Sequence, residues 1–301
     1  MLSVIIGISS ALIYGAADFL GGTASRRISP VRVTAIAAVV GLVALLIALP
    51  FVGGTWSSQA VLLGALSGVT GSVAIGLLYA CLAIGPMSIL SPLTAVVSAI
   101  VPLSIGLAGG ERLQPIGYVA LGLALVAVVL VGFVPEKGAV RPRLAGVLMA
   151  VGSGVAIGLF LVIIDQTPDD SGLVPLVLNR GVSGAILFAA VGVLALRTYR
   201  RSSKSRSDHI ETTSAHPTRD PRGWLPGLRL AILCGFVDAV ANTGLLLGLR
   251  LGELSVMAVL TALYPAGTII LAAVVLKERI APVQIVGLVL AVAAGGMLAL
   301  A

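Results

Sequence analysis

Charge is scarce in this sequence. Only 10% of the 301 residues are Asp, Glu, Lys or Arg, against 58% that are hydrophobic. A water-soluble globule needs roughly 25% charged residues to cover its surface, so most of this surface faces lipid. Cysteine is reduced to Cys81 and Cys234, both inside apolar runs. That excludes a disulfide framework and reads as packed thiols. The two histidines, His209 and His216, lie in a polar segment with no cysteine near them, so neither a metal site nor a cofactor is expected. No histidine falls in an apolar run, and neither G-x-S-x-G nor H-E-x-x-H occurs. A membrane-embedded enzyme is therefore set aside, and no catalytic residue is assigned. Aromatics are only 4% of the chain, few for the cage that a multidrug site for lipophilic cations would use.

What is present is a series of long apolar runs. A spanning helix needs about 20 mostly apolar residues. Runs of that kind occur near 2–22, 31–52, 59–81, 86–108, 115–134, 143–164, 173–196, 225–249, 254–276 and 281–301. They do not alternate apolar with polar as the strands of a membrane barrel do. The 37 glycines lie largely inside these runs, which suits close helix packing in a bilayer rather than a flexible linker. A net charge of +7 and a pI near 10.0 do not point to nucleic acid, because the basic residues lie between the runs. Counted by gap, 16 of the 19 Lys and Arg fall in the odd-numbered gaps. The positive-inside rule makes those gaps cytoplasmic and both termini external. The first apolar run has no basic start, as a signal peptide would, and is followed by Arg26 and Arg27, as in a helix inserted N-terminus outward. Residues 197–223, rich in Ser, Arg, Thr and Pro, cannot build a core and read as a disordered cytoplasmic loop.

The chain repeats itself at an offset of 167 residues. Leu93-Thr94-Ala95 overlies Leu260-Thr261-Ala262, and Glu111-Arg112-x-x-Pro115 overlies Glu278-Arg279-x-x-Pro282. Between 78–131 and 245–298, 16 of 54 positions are identical, and the polar agreement cannot come from apolar composition alone. The expected fold is an all-α integral membrane protein of ten transmembrane helices in two five-helix repeats, 1–135 and 143–301. Five spans is an odd number, so the repeats are inverted, an arrangement typical of secondary carriers that bind near the midplane.

Ten helices in two halves, the Tyr14-Gly15-Ala-Ala-Asp18-Phe19-Leu-Gly-Gly stretch, and Glu-Arg-x-x-Pro before the last helix of each half resemble the EamA family of the drug/metabolite transporter superfamily. The resemblance covers essentially the whole chain apart from 197–223. It implies a carrier, often an exporter, of amino acids or other small metabolites. It also implies cytoplasmic termini, opposite to the charge bias, so orientation stays open at this point. The oligomeric state is not legible.

An ionisable group within a span is costly unless paired or hydrated, which makes it a candidate for function. Asp238 lies about thirteen residues into the eighth span, with Asn242 one turn later on the same face. Asp18, with Tyr14 one turn earlier, lies toward the end of the first span; Tyr79 and Tyr264 offer hydroxyls and ring faces inside spans. The alternative for each is structural: an Asp–Asn pair joining helices, or a tyrosine packed against a carbonyl. Glu111 and Glu278 read as capping and interface residues at helix starts. No Lys lies within a span, and Arg180 and Arg250 read as helix-end residues, which argues against phosphorylated substrates. The resulting expectation is a carrier of a small polar or zwitterionic metabolite across the plasma membrane. A proton couples through Asp238 and Asp18, and the bilayer is the other partner.

Overall fold

Away from water a backbone must satisfy its own N–H and C=O groups, and helices do this within one segment. The computed structural model describes residues 1–84, 87–132, 143–208, 225–277 and 279–300. Its first half holds α1 (Leu2–Ser25), α2 (Pro30–Val52), α3 (Ser58–Ile84), α4 (Met87–Ala108) and α5 (Pro115–Gly132). The second holds α6 (Leu144–Asp165), a 3₁₀ turn (Asp169–Ser171), α7 (Val174–Asp208), α8 (Leu225–Leu251), α9 (Leu254–Thr261), α10 (Tyr264–Val275) and α11 (Pro282–Leu300). Among the described residues nine helical segments are long and apolar enough to cross a bilayer, and Val174–Ala190 of α7 is a shorter apolar stretch. These make the ten spans expected, in two repeats of five. Proline opens α2, α5 and α11, where its missing N–H costs nothing.

Two expectations are corrected. Residues 197–208, read as the start of a disordered loop, continue α7 as helix. Arg, Lys and Ser can extend a helix already nucleated by its apolar half, since propagation is far easier than nucleation. The rest of that segment, with His209 and His216, lies outside the described residues. The ninth span, expected as one continuous run near 254–276, is also broken in two. Pro265 has no N–H to give and its ring clashes with the carbonyl four residues back. Accordingly α9 ends at Thr261 and α10 restarts at Tyr264. Pro92 and Pro102, by contrast, sit inside an unbroken α4.

The loops sort onto two faces. On one, Thr55 N–H donates to the Asp170 carbonyl at 2.9 Å and its hydroxyl to Asp170 Oδ2 at 2.7 Å. Arg250 reaches Asp169 Oδ1 at 2.8 Å on the same face. Glu111 caps a helix there, though not its own. Its carboxylate accepts from Leu254 N–H at 2.8 Å and Ser255 N–H at 3.1 Å, the open first turn of α9. One repeat thus caps the other, in a position where negative charge meets the helix dipole favourably. Glu278 lies outside the described residues. The opposite face carries Arg26, Arg27, Arg143, Lys277 and Arg279, so one face is acidic and the other basic.

Packing differs between the faces. Near the acidic face one cluster, including Leu161, Ile164, Leu173, Leu176, Leu245 and Met257, joins α6, α7, α8 and α9. Toward the basic face the core divides: Ala24, Val33 and Ala231 pack α1, α2 and α8 together, while Cys81, Leu90 and Ala150 pack α3, α4 and α6. One packing group thus lies near the acidic end and two separate groups lie toward the other.

Candidate functional site

Small residues set the close approaches that position the site. A Cβ built at Gly15 would lie 2.6 Å from the Gly267 Cα, so α1 and α10 touch backbone to backbone there. Thr268 adds a hydroxyl bond to the Gly15 carbonyl at 3.1 Å. This crossing sets Tyr14 and Asp18 of α1 beside Tyr264 of α10. Buried hydroxyls and amides fix the other side. Asn179 Nδ2 donates to Ser67 Oγ at 3.0 Å, and Ser153 Oγ donates to the Ala74 carbonyl at 2.8 Å.

Between these helices lies a cavity of about 270 Å³ at mid-span, drawn from both repeats. Its polar lining includes Tyr14, Asp18, Arg180, Asp238, Asn242 and Thr261. Of the residues expected from sequence, Asp238, Asn242, Asp18, Tyr14 and Tyr264 all meet on this cavity. The Tyr79 side chain lies outside the described residues. Asn242 does not bond the Asp238 carboxylate; its Nδ2 donates to the Asp238 backbone carbonyl at 2.8 Å. That bond leaves the carboxylate free for another partner.

The partner is Arg180, whose Nη2 bonds Asp238 Oδ2. This corrects the placement of Arg180 at a helix end. It lies six residues beyond Val174, about 9 Å along the axis at 1.5 Å per residue, and it lines the cavity. The objection to phosphorylated substrates drawn from its position therefore loses that ground. The pair remains reachable, with side-chain exposures of 16% for Arg180 and 22% for Asp238. Asp18 is exposed into the cavity. Among the described residues the ion pairs are Arg180–Asp238 and Arg250–Asp169, so Asp18 has no cation of its own there. The ionised cavity thus holds two carboxylates against one guanidinium.

Thr261 was not singled out by sequence. Its residue is 9% exposed, it lines the cavity, and its Oγ1 is the one buried side-chain polar atom without a partner among the described residues. A buried hydroxyl left unbonded costs about 1–3 kcal/mol, so this cavity-lining residue carries an unused bonding capacity. Only the helix break beside it, legible through Pro265, hinted at this.

Comparison with known proteins agrees with this architecture. The model of the EamA-like transporter family matches residues 1–133 and again 144–299. A crystal structure of a protein with 18% sequence identity aligns over 99% of this chain and 98% of its own, at a TM-score of 0.71; at that identity the likeness concerns the fold. No curated protein matches the sequence. Two helical repeats, each matching the family model and together enclosing one polar cavity, place this multi-pass membrane protein in the EamA-like transporter family, to which the chain belongs.

Proposed function

We propose that the protein is a secondary active carrier of a small zwitterionic metabolite such as an amino acid, working by alternating access and coupled to protons. The observation that carries this reading is the mid-span cavity lined by Arg180, Asp238 and Asp18. Its size, about 270 Å³, falls just below the roughly 300–1,000 Å³ of ligand pockets and favours a small cargo. A guanidinium suits a carboxylate, and a carboxylate without a cation suits an ammonium or a proton. Asp238 and Asp18 are the coupling candidates, and Tyr14, Asn242 and Tyr264 the polar supports. The alternative of lipophilic-cation efflux draws on Asp18 but leaves Arg180 without a task.

The test is flux in liposomes. Amino acids should accumulate under an imposed proton gradient, and Asp238→Asn should abolish the gradient dependence. Unchanged gradient-driven flux in that variant would sink the coupling assignment. We further propose that the basic face is cytoplasmic in the plasma membrane, with both termini outside. A cysteine placed at Ser205 should then resist impermeant reagents in intact cells, and labelling from outside would reverse the orientation.

A further inference from the structure

Two arginines that form ion pairs among the described residues, Arg250 and Arg180, are used differently. Arg250 is saturated: Nη1 bonds the Thr167 carbonyl and Asp169 Oδ1, and Nη2 bonds Thr167 Oγ1 at 2.7 Å and Ser171 Oγ at 3.2 Å. It ties the end of α8 to the loop after α6 and has little left to offer. Among the described residues Arg180 makes a single side-chain bond, from Nη2 to one oxygen of Asp238. Its stem crosses α2 at Gly41, where an added Cβ would meet Arg180 Nε at 3.6 Å. A guanidinium carries five donors in a planar fork that matches a carboxylate two bonds at a time. An end-on pair on a cavity wall leaves most of that fork unused.

Resting on the carrier reading above, we infer that Arg180 is the anion-binding residue of the cavity, and that a substrate carboxylate binds it by replacing Asp238. The displaced Asp238 would be a charge without a partner in a poorly hydrated site, which is costly unless neutralised. It therefore takes one proton from the water of the cavity. The exchange balances: the Arg180–Asp238 ion pair, a carboxylate and a proton become an Arg180–carboxylate pair and a neutral Asp238 acid. No covalent bond other than the new O–H forms. Substrate binding and proton uptake become one event, and Asp18 remains to face the substrate ammonium.

The surroundings of Asp238 fit this role. Arg180 comes from α7, Tyr14 and Asp18 from α1, and Cys234 lies one turn earlier on α8. Tyr264 of α10 stands beyond Asp18. The α2 helix packed beside them carries one titratable residue, Arg32, at its far end. Asp238 therefore has one cation near it, and losing that cation leaves it among neutral or acidic groups.

Binding to the purified full-length chain tests the proposal, by calorimetry with the twenty standard amino acids as probes. For each that binds, its N-acetyl derivative keeps the anion alone and its methyl ester keeps the cation alone. The N-acetyl acid should bind and the ester should bind at least about tenfold more weakly, as expected when a charged bidentate contact is lost. Runs in buffers of different ionisation enthalpy should show one proton taken up per acid bound. Asp238→Asn should remove that uptake and tighten the acid, because the competitor for Arg180 no longer carries charge. Arg180→Gln should abolish acid binding. Should that variant fail to fold, the double variant Arg180→Gln/Asp238→Asn leaves no orphan charge and should show the same loss. Esters that bind as well as acids, acid binding retained without Arg180, or no proton uptake in the unaltered chain would each overturn the exchange. Ester flux in liposomes without acid flux overturns it while the carrier reading stands. Tight acid binding with proton uptake but no flux of any probe supports the exchange and removes the carrier reading.

Discussion

The third and eighth helices are copies of one another, and both turn the same positions toward the cavity. At the 167-residue offset Gly71, Ile75 and Leu78 of α3 stand where Asp238, Asn242 and Leu245 stand in α8, and all six line the cavity. The duplication preserved which face points inward, while the polar groups sit on one copy. The fourth and ninth spans tell the same story. Thr94 overlies Thr261, yet Thr94 Oγ1 bonds the Leu90 carbonyl at 3.0 Å and the Ala150 carbonyl at 3.2 Å, while Thr261 Oγ1 has no partner among the described residues. Ser98 overlies Pro265, and with the proline comes the break. A symmetric frame thus encloses a chemically lopsided site, with an apolar wall from the first repeat facing an ionic wall largely from the second.

The sharpest way to break that comparison is to move the carboxylate to its mirror position. A Cβ at Gly71 meets nothing within 4 Å, so Gly71→Asp should fold. Combined with Asp238→Asn it should leave gradient-driven flux about a hundredfold below the unaltered protein, on the order of 2.7 kcal/mol, because Arg180 bonds Asp238 on α8 and, among the described residues, no group of α3. Restored flux would mean that the two walls are interchangeable. Next in size is the ion pair itself. Arg180→Ala should lower stability by about 2 kcal/mol in thermal unfolding, less than the 3–5 kcal/mol of a fully buried pair because these groups are partly exposed. Arg180→Met with Asp238→Leu should recover most of that loss; failure to recover would assign the pair a fold-determining role.

The threonines separate the repeats at the scale of one hydrogen bond. Thr94→Val should cost about 1 kcal/mol of stability, whereas Thr261→Val should be neutral or stabilising yet weaken cargo binding several-fold. Equal stability losses would show that Thr261 has a structural partner after all. The smallest effect concerns Glu253, which stands where the first repeat has Pro86. Burial, then the neighbouring Glu111 charge, raises its carboxyl above the ordinary value of 4.5. The folded chain therefore holds that proton more tightly than the unfolded chain. Stability from this group is present below the unfolded value and is lost as pH rises through the folded one. Glu253→Gln should raise the melting temperature slightly at pH 7 and leave it unchanged near pH 4; the opposite order would show that the neighbouring charge is not felt.

Much of this was legible in the chain because lipid imposes simple rules. Run length, charge by gap and the Glu-Arg-x-x-Pro pair gave ten spans in two inverted repeats. Asp238, Asn242, Asp18, Tyr14 and Tyr264 could be selected because polar groups are rare in spans. Arg180 was missed because a cation a few residues inside a run can snorkel to an interface. Only the pairing of α7 with α8, 58 residues apart for Arg180 and Asp238, shows that it turns inward. Thr261 was missed for a related reason, since an unmet hydroxyl is a property of neighbours that no single segment encodes. Glu111 was read as a cap, but which helix it caps depended on the meeting of two repeats.

The surplus carboxylate of the cavity has an electrical consequence. With Arg180, Asp238 and Asp18 ionised, the empty site carries one net negative charge; a zwitterion entering with one proton brings it to neutrality. Under the proposed cycle, a membrane potential would then act little on the loaded passage. It would act on the return of the empty carrier, by up to about 2.3 kcal/mol per 100 mV for one full charge moved. Voltage would set how quickly the carrier becomes ready again and, because each full cycle moves one net charge, would add to the proton gradient in setting how much cargo it can concentrate.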